Sequence, residues 1–120
     1  MPEGFADSAG VTGFHAHIYY SAETRDAAAR LRAAIGRRFD TVLGRWHEEA
    51  VGPHPISMYQ VAFEASEFRK LVPWLMLNRD ELSILVHPLS GDAYLDHSRY
   101  AAWLGTQVPL LLEVLRRGGA

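Results

Sequence analysis

Apolar and polar positions alternate from Phe14 to Tyr20, with Phe14, Ala16, Ile18 and Tyr20 on one side and His15, His17 and Tyr19 on the other. A two-residue period in β-branched and aromatic residues predicts a half-buried strand. The period then lengthens. Ala28, Leu31 and Ile35 recur at helical spacing, preceded by Ser21 or Thr24 as N-cap and Glu23 and Asp26 in the first turn. Gly36-Arg37-Arg38 is a stop, so a first helix is expected over roughly 23–37. A second strand is expected around 41–47, and Gly52-Pro53-His54-Pro55 must be a turn or loop, since two prolines do not fit a central ladder. Tyr59, Val61 and Phe63 alternate with Met58, Gln60 and Ala62 in a third strand. Ser66 then caps a helix carrying Phe68, Leu71, Leu75 and Met76, which Pro73 should kink or split. Leu82 to His87 reads as a fourth strand, closed by Pro88 and Ser90-Gly91-Asp92. Amphipathic stretches near 94–104 and 110–115 predict a helical C-terminal extension.

The order β-α-β-β-α-β is that of an α+β, ferredoxin-like fold with a four-stranded antiparallel sheet in the order 4-1-3-2 and both helices on one face. Strands one and three are expected as parallel neighbours. On that topology the start of strand one, the end of strand two, the loop into strand three and the end of strand four share one edge. His15, His17, His47, His54 and His87 would gather there. Leu82, Ile84 and Val86 form the helix-packed row of strand four, which turns Ser83, Leu85 and His87 to the same open face as His15 and His17.

The 120 residues are 48% apolar and 22% charged, which suits one domain, expected over 14–120 behind a mobile leader of residues 1–13. The leader lacks the charged and apolar regions of a targeting peptide, and no apolar run is long enough to span a membrane, so a cytoplasmic location is expected. A formal charge of -2 gives no footprint for nucleic acid or an acidic membrane surface. Cysteine is absent, which excludes disulfides, a thiolate nucleophile and sulfur-held metals, while six histidines remain.

Residues two apart on a strand point the same way, with Cβ atoms about 6.6 Å apart. His15 and His17 can therefore converge on one ion, and His87 from an adjacent strand completes a three-nitrogen set with open positions. Two histidines with Glu48, Glu49 or Glu64 are the other option, and the donors suit Fe(II), Zn(II), Mn(II) or Cu(II). An H-x-H on a strand is by itself more often a surface or core pair; the convergence with His87 tips the balance towards metal. His47 reads as an exposed strand-end residue. His97, after Asp96, reads as a helix-start residue or a neighbour of the ligands. Tyr19 and Gln60 line the open face. Arg45, Arg79 and Arg99 could each meet a substrate carboxylate, although surface pairing is the default for any one of them.

Phe14-His15-Ala16-His17-Ile18-Tyr19-Tyr20, Gly52-Pro53-His54-Pro55, Trp74-Leu75-Met76-Leu77-Asn78-Arg79, Leu82-Ser83-Ile84-Leu85-Val86-His87-Pro88 with Gly91-Asp92, and Asp96-His97 before Ala102-Trp103-Leu104-Gly105 occur in this order. Together they resemble the DOPA 4,5-dioxygenase family of small fungal and bacterial proteins, over about residues 13–112. The resemblance implies an enzyme that opens a catechol ring beside its two hydroxyls, using O₂ and a non-haem metal. Fe(II) is the expected cofactor, with Zn(II) or another divalent ion as a substitute. It also implies that His15, His17 and His87 lie near the metal and His54 beside the substrate, as the base that takes a catechol proton and later returns it. Ser90 stands where the family pattern has Thr, a change that keeps the hydroxyl.

Tyr19, Gln60 and Arg79 are then the expected substrate contacts, and His97 and Asp92 the expected supports of the ligands. Leu85, Met58 and Trp46 would wall the ring. The C-terminal tail or a second subunit should cover the open face, and a homodimer is expected. The expected partners are a small catechol and O₂, with no nucleic acid and no membrane. A zinc enzyme of another kind on the same fold, or a non-catalytic dimer that binds metal or a small molecule, are the competing readings.

Overall fold

The computed structural model describes residues 4–118. Residues 4–10 are exposed, and within them Ser8–Gly10 form one 3-10 turn in which Asp7 accepts from the Ala9 amide. The elements that follow are β1 (Gly13–Tyr19), α1 (Arg25–Arg38), β2 (Val42–Leu43), β3 (Met58–Glu64), α2 (Ala65–Asn78), β4 (Ser83–Pro88), α3 (Ala93–Asp96), β5 (Ala102–Leu104) and α4 (Glu113–Gly118). The five strands form a single open sheet in the order β2-β3-β1-β4-β5, with every neighbouring pair antiparallel.

The expected order of the first four strands is present, but two features of the sheet differ from expectation. The sheet has five strands, because residues 102–104 pair with Val86, Leu85 and Ile84 of β4 where an amphipathic helix was expected. Only one helical turn, α3, forms before them. A three-residue run of Ala102, Trp103 and Leu104 is too short for either periodicity to declare itself, and pairing with a free sheet edge decides its conformation. The second difference is direction. β1 and β3 are antiparallel, with Tyr19 opposite Met58 and Gly13 opposite Glu64. The loop into β3 therefore lies at the Tyr19 end of β1, not beside His15.

β2 is also shorter than the expected 41–47. Val42 and Leu43 pair with Ala62 and Val61, and pairing resumes only at His47 opposite Met58. Three residues on this side face two on β3, which makes a bulge. Gly44 sits in it, its amide donating to the Gln60 carbonyl at 2.7 Å, and a Cβ there would crowd that oxygen. α2 begins one residue before Ser66, with Glu64 at the cap position, so Ser66 is not the cap. Pro73 neither splits nor ends α2; it sits on the exposed side, where its missing N–H and ring are accommodated within one continuous helix.

The alternation in β1 places the core. Ala16, Ile18 and Tyr20 pack with Tyr59, Val61, Phe63, Ile84 and Val86 beneath Ala28, Leu31 and Ile35 of α1 and Leu71, Val72 and Leu75 of α2. The buried Tyr59 hydroxyl donates to the Ala28 carbonyl at 2.8 Å, tying sheet to helix. Trp46, expected beside a substrate ring, lies on this helix side against Tyr20 and Tyr59, under the Arg25 guanidinium at 4.1 Å. On the opposite face the chain after β4 returns across the sheet. Trp103, Val108 and Leu110 pack on Tyr19, Met58 and Leu85, and the Leu111 amide donates to the Pro53 carbonyl. The tail thus covers the Tyr19 end of the open face. Among the described residues no helix is long and apolar enough to cross a membrane.

Ile84→Ala, at a fully buried position beneath the helices, should lower unfolding free energy by about 2–5 kcal/mol. Met76→Ala, at an exposed position of α2, should change it by no more than about 0.5 kcal/mol. Urea titration of the two variants checks the assignment of the core face.

Candidate metal centre

β1 is the middle strand, and its polar row is displayed where three strands and two loops can reach it. His15 stands opposite His87 on β4, and His17 stands opposite Leu85 on β4 and Gln60 on β3. Directly opposed residues project to the same side, so His15, His17, His87 and Gln60 share the open face. The 44–57 loop comes over from the Tyr19 end and delivers His54. The segment after β4 comes over from the other end and delivers His97 at the close of α3.

Five imidazoles meet there. Ring centroids are 5.1 Å apart for His17 and His87, 5.2 Å for His15 and His87, 4.3 Å for His17 and His54, and 4.2 Å for His87 and His97. His17, His54 and His87 are buried, while His15 and His97 are half-buried, so access is from the side of these last two. Two sets of three nitrogens are close enough to share an ion: His15, His17 and His87, and His17, His54 and His97.

The hydrogen bonds assign protons to these rings. His87 Nδ1 lies 2.8 Å from the Pro88 carbonyl oxygen, which can only accept, so Nδ1 carries the proton and Nε2 presents a lone pair. That Nε2 is 3.1 Å from Nε2 of His17. Two nitrogens about 2.1 Å from one ion, at roughly a right angle, lie about 3.0 Å apart. Nδ1 of His17 is buried without any partner. A lone-pair nitrogen facing a second ring nitrogen needs a proton or a cation between them; 3.1 Å accommodates either a His17 N–H donor or a shared cation, and a donor at His17 Nε2 would still leave the buried Nδ1 lone pair unpaired. The residues present therefore fit a divalent metal held by histidine nitrogen.

Burial favours the neutral form of His15, His17, His54 and His87, the form that binds metal. It pushes His54 and His87 down to about 4, His17 well below its usual value and His15 below its own; neighbouring imidazoles add to the effect. Asp96 opposes this weakly at His15 and His87. Its buried carboxylate accepts from the Ser90 amide and, at 2.6 Å, from the Ser90 hydroxyl.

The sequence-derived candidates divide plainly. His15, His17, His87 and His54 are brought together. Gln60 shares their face. Tyr19 is buried, its hydroxyl 2.7 Å from Nδ1 of His54. Arg79 lies at the other end of β4, donating to the Leu82 carbonyl and packed against Gly105, away from the histidines. Asp92 is exposed and caps α3 by accepting from the Leu95 amide. The carboxylate beside the cluster is Asp96, which the pattern of residues alone does not single out. Of the carboxylates considered as ligands, Glu48 is held by Tyr20 and Arg25, and neither Glu49 nor Glu64 belongs to either nitrogen set. His47 is engaged in its bridge to Met58 and stays outside both sets. His97, expected as a support of the ligands, belongs to the second nitrogen set.

Fold and site together define a small α+β protein with a histidine-rich candidate metal centre on an open antiparallel sheet. The chain belongs to the Dopa 4,5-dioxygenase family, whose model matches residues 14–114. It is 36% identical to a DOPA 4,5-dioxygenase of Amanita muscaria, over 85% of this chain and 49% of that protein. It is also 36% identical to an uncharacterized 21.2 kDa protein of Botryotinia fuckeliana, over 90% of this chain and 66% of that one. The chain thus spans about half and about two thirds, respectively, of the length of these curated relatives. Among solved structures it is similar to a protein of Nostoc punctiforme provisionally described as a dioxygenase, with 53% identity and a TM-score of 0.93, covering 94% of this chain and 98% of that one.

The lowered values of the buried histidines set the acid sensitivity of the metal-free protein. Above the usual 6.5 the rings are neutral folded or unfolded; between 6.5 and about 4 only the unfolded chain takes up protons at His54 and His87. Stability should therefore be full above 6.5 and fall as pH drops towards 4. Urea midpoints in the presence of a chelator, measured at pH 7.5, 6 and 5, should decrease in that order. Equal midpoints would show that the rings are protonated in the folded state.

Proposed function

We propose that the protein is an extradiol-type ring-cleaving dioxygenase that acts on DOPA or a related catechol with O₂, using a non-haem divalent metal, Fe(II) in the working enzyme, held by His15, His17 and His87. The observation that carries this reading is the pair of Nε2 atoms 3.1 Å apart, one with its lone pair fixed by the Pro88 carbonyl, beside a third histidine at the accessible side. Membership of the family and the name of the Amanita relative supply the reaction class.

When bound, such an ion offers open positions for catechol oxygens and O₂. The chain's own residues do the rest. Three of the imidazoles converge as ligands, and their burial keeps them neutral and ready to bind. Met58, Leu85 and Trp103 form an apolar floor that excludes water next to the reacting ring. Gln60 adds a polar group on the same face. His54 stands beside the ligands, where a ring nitrogen can exchange a hydrogen bond or proton with a substrate oxygen. The same reading treats β2-β3-β1-β4 with α1 and α2 as a ferredoxin-like unit extended by β5.

Protein loaded anaerobically with Fe(II) and then given DOPA, caffeate or protocatechuate in air should consume O₂ and form a yellow ring-opened product. Absence of both with all three catechols would overturn the reading. His17→Ala and His87→Ala should each lose metal and turnover. His54→Ala should keep its metal, as read by elemental analysis, and lose turnover by about a hundredfold or more.

A further inference from the structure

Two histidines of the cluster are left over when His15, His17 and His87 are taken as ligands, and their hydrogen bonds give them opposite chemistry. Tyr19 is 2% exposed, and His54 Nδ1 at 2.7 Å is the one hydrogen-bond partner of its hydroxyl among the described residues. If His54 donated to the phenol oxygen, the phenol proton would be buried with nothing to accept it, at a cost of about 1–3 kcal/mol. The favourable arrangement has the Tyr19 hydroxyl donating to Nδ1, which puts the proton of the neutral His54 ring on Nε2. His97 is set the other way. Its Nδ1 lies 2.8 Å from the Ala93 carbonyl, an acceptor only, so Nδ1 holds the proton and Nε2 is bare. The two rings face the same cluster with centroids 5.7 Å apart, His54 from the 44–57 loop and His97 from α3.

We propose that His54 and His97 form a donor and acceptor pair with tautomers fixed in opposite senses, His97 being the base of the reaction and Tyr19 a positioning residue that holds His54 as a donor. The inference rests on the ring-cleavage reading for its substrate and sharpens the assignment of roles. A catechol hydroxyl brought to the accessible side passes its proton to Nε2 of His97, leaving the oxygen anionic and His97 an imidazolium. The Nε2–H of His54 donates a hydrogen bond to the substrate and keeps its proton at this stage. The same tautomers select between the two nitrogen sets. In the set of His17, His54 and His97, His54 has no free lone pair, since Tyr19 occupies Nδ1 and a proton occupies Nε2. The set of His15, His17 and His87 makes no such demand.

The assignment is read directly from long-range proton–nitrogen NMR spectra of protein labelled with ¹⁵N-histidine, metal-free and loaded with Zn(II). His54 should show a protonated Nε2 and a bare Nδ1, and His97 the reverse, in both states, while Zn(II) shifts the ring nitrogens of His15, His17 and His87. A bare Nε2 on His54, or ligand shifts on His54 and His97, would overturn the proposal. Tyr19→Phe, which keeps the ring but not the hydroxyl, should move His54 out of its single tautomer; an unchanged His54 spectrum would remove Tyr19 from the positioning role. On the Fe(II) protein, His97→Gln should lower kcat with DOPA by about a hundredfold at unchanged iron content, and an unchanged kcat would refute its role as base. Turnover by the unsubstituted protein tests the ring-cleavage reading, whereas the tautomer spectra need no turnover, so the two can fail separately.

Discussion

Everything in this molecule depends on β1 being held between two antiparallel partners while one of its faces is buried under helices. Ala16 and Ile18 are completely inaccessible beneath α1 and α2. A slip of one residue would exchange the faces, driving His15 and His17 into an aliphatic core and leaving Ile18 in the site. Register is therefore enforced by the apolar row, and the histidine row inherits its position from it. The pairing of His15 with His87 follows from that register, and the Pro88 carbonyl then orients the His87 ring towards His17.

The second constraint is that imidazoles gathered in this way have almost no negative charge to share. Asp96 is the one carboxylate among the described residues that acts on more than one of them, and it is committed to Ser90. Burial and neighbouring imidazoles favour the neutral form of His15, His17, His54 and His87, and in three rings of the cluster the atom beside a nitrogen settles whether it donates or accepts. Carbonyls of Pro88 and Ala93 fix His87 and His97, and a phenol meets His54. His17 alone has a buried nitrogen with nothing to meet. A cluster of this kind is poorly satisfied as a metal-free protein core and well suited to holding a cation, which links the acid sensitivity of the fold to the function proposed for it.

Much of this was legible in the chain. Strands β1, β3 and β4 declare themselves by alternation over six or seven residues, and α1 by a clean helical period with basic residues at its end. β2 and β5 did not, because two- and three-residue strands carry no period and exist only where a neighbouring edge accepts them. β3 runs antiparallel to β1, not parallel as the element order suggests, so the histidines do not gather at one edge. They gather on one face, with His54 and His97 reaching it from opposite ends. The aim of Asp96 and His97 is not legible either, because a single turn of helix has no signature strong enough to say which way its side chains point. A cation between elements likewise says nothing about what it faces; Arg79 donates to the Leu82 carbonyl.

The sequence by itself determined which residues lie on which side of each long strand, since side-chain direction alternates rigidly with position in an extended backbone. It thereby determined that His15, His17 and His87 share a face, and, through the absence of cysteine, that any metal there is bound by nitrogen and oxygen. Only the tertiary structure decided that His54 and His97 complete the cluster, that Asp96 is the carboxylate beside it, and which nitrogen of each fixed ring holds its proton. Those outcomes depend on the paths of loops across the sheet and on hydrogen bonds to backbone carbonyls and a phenol, and neither leaves a periodic trace in the order of residues.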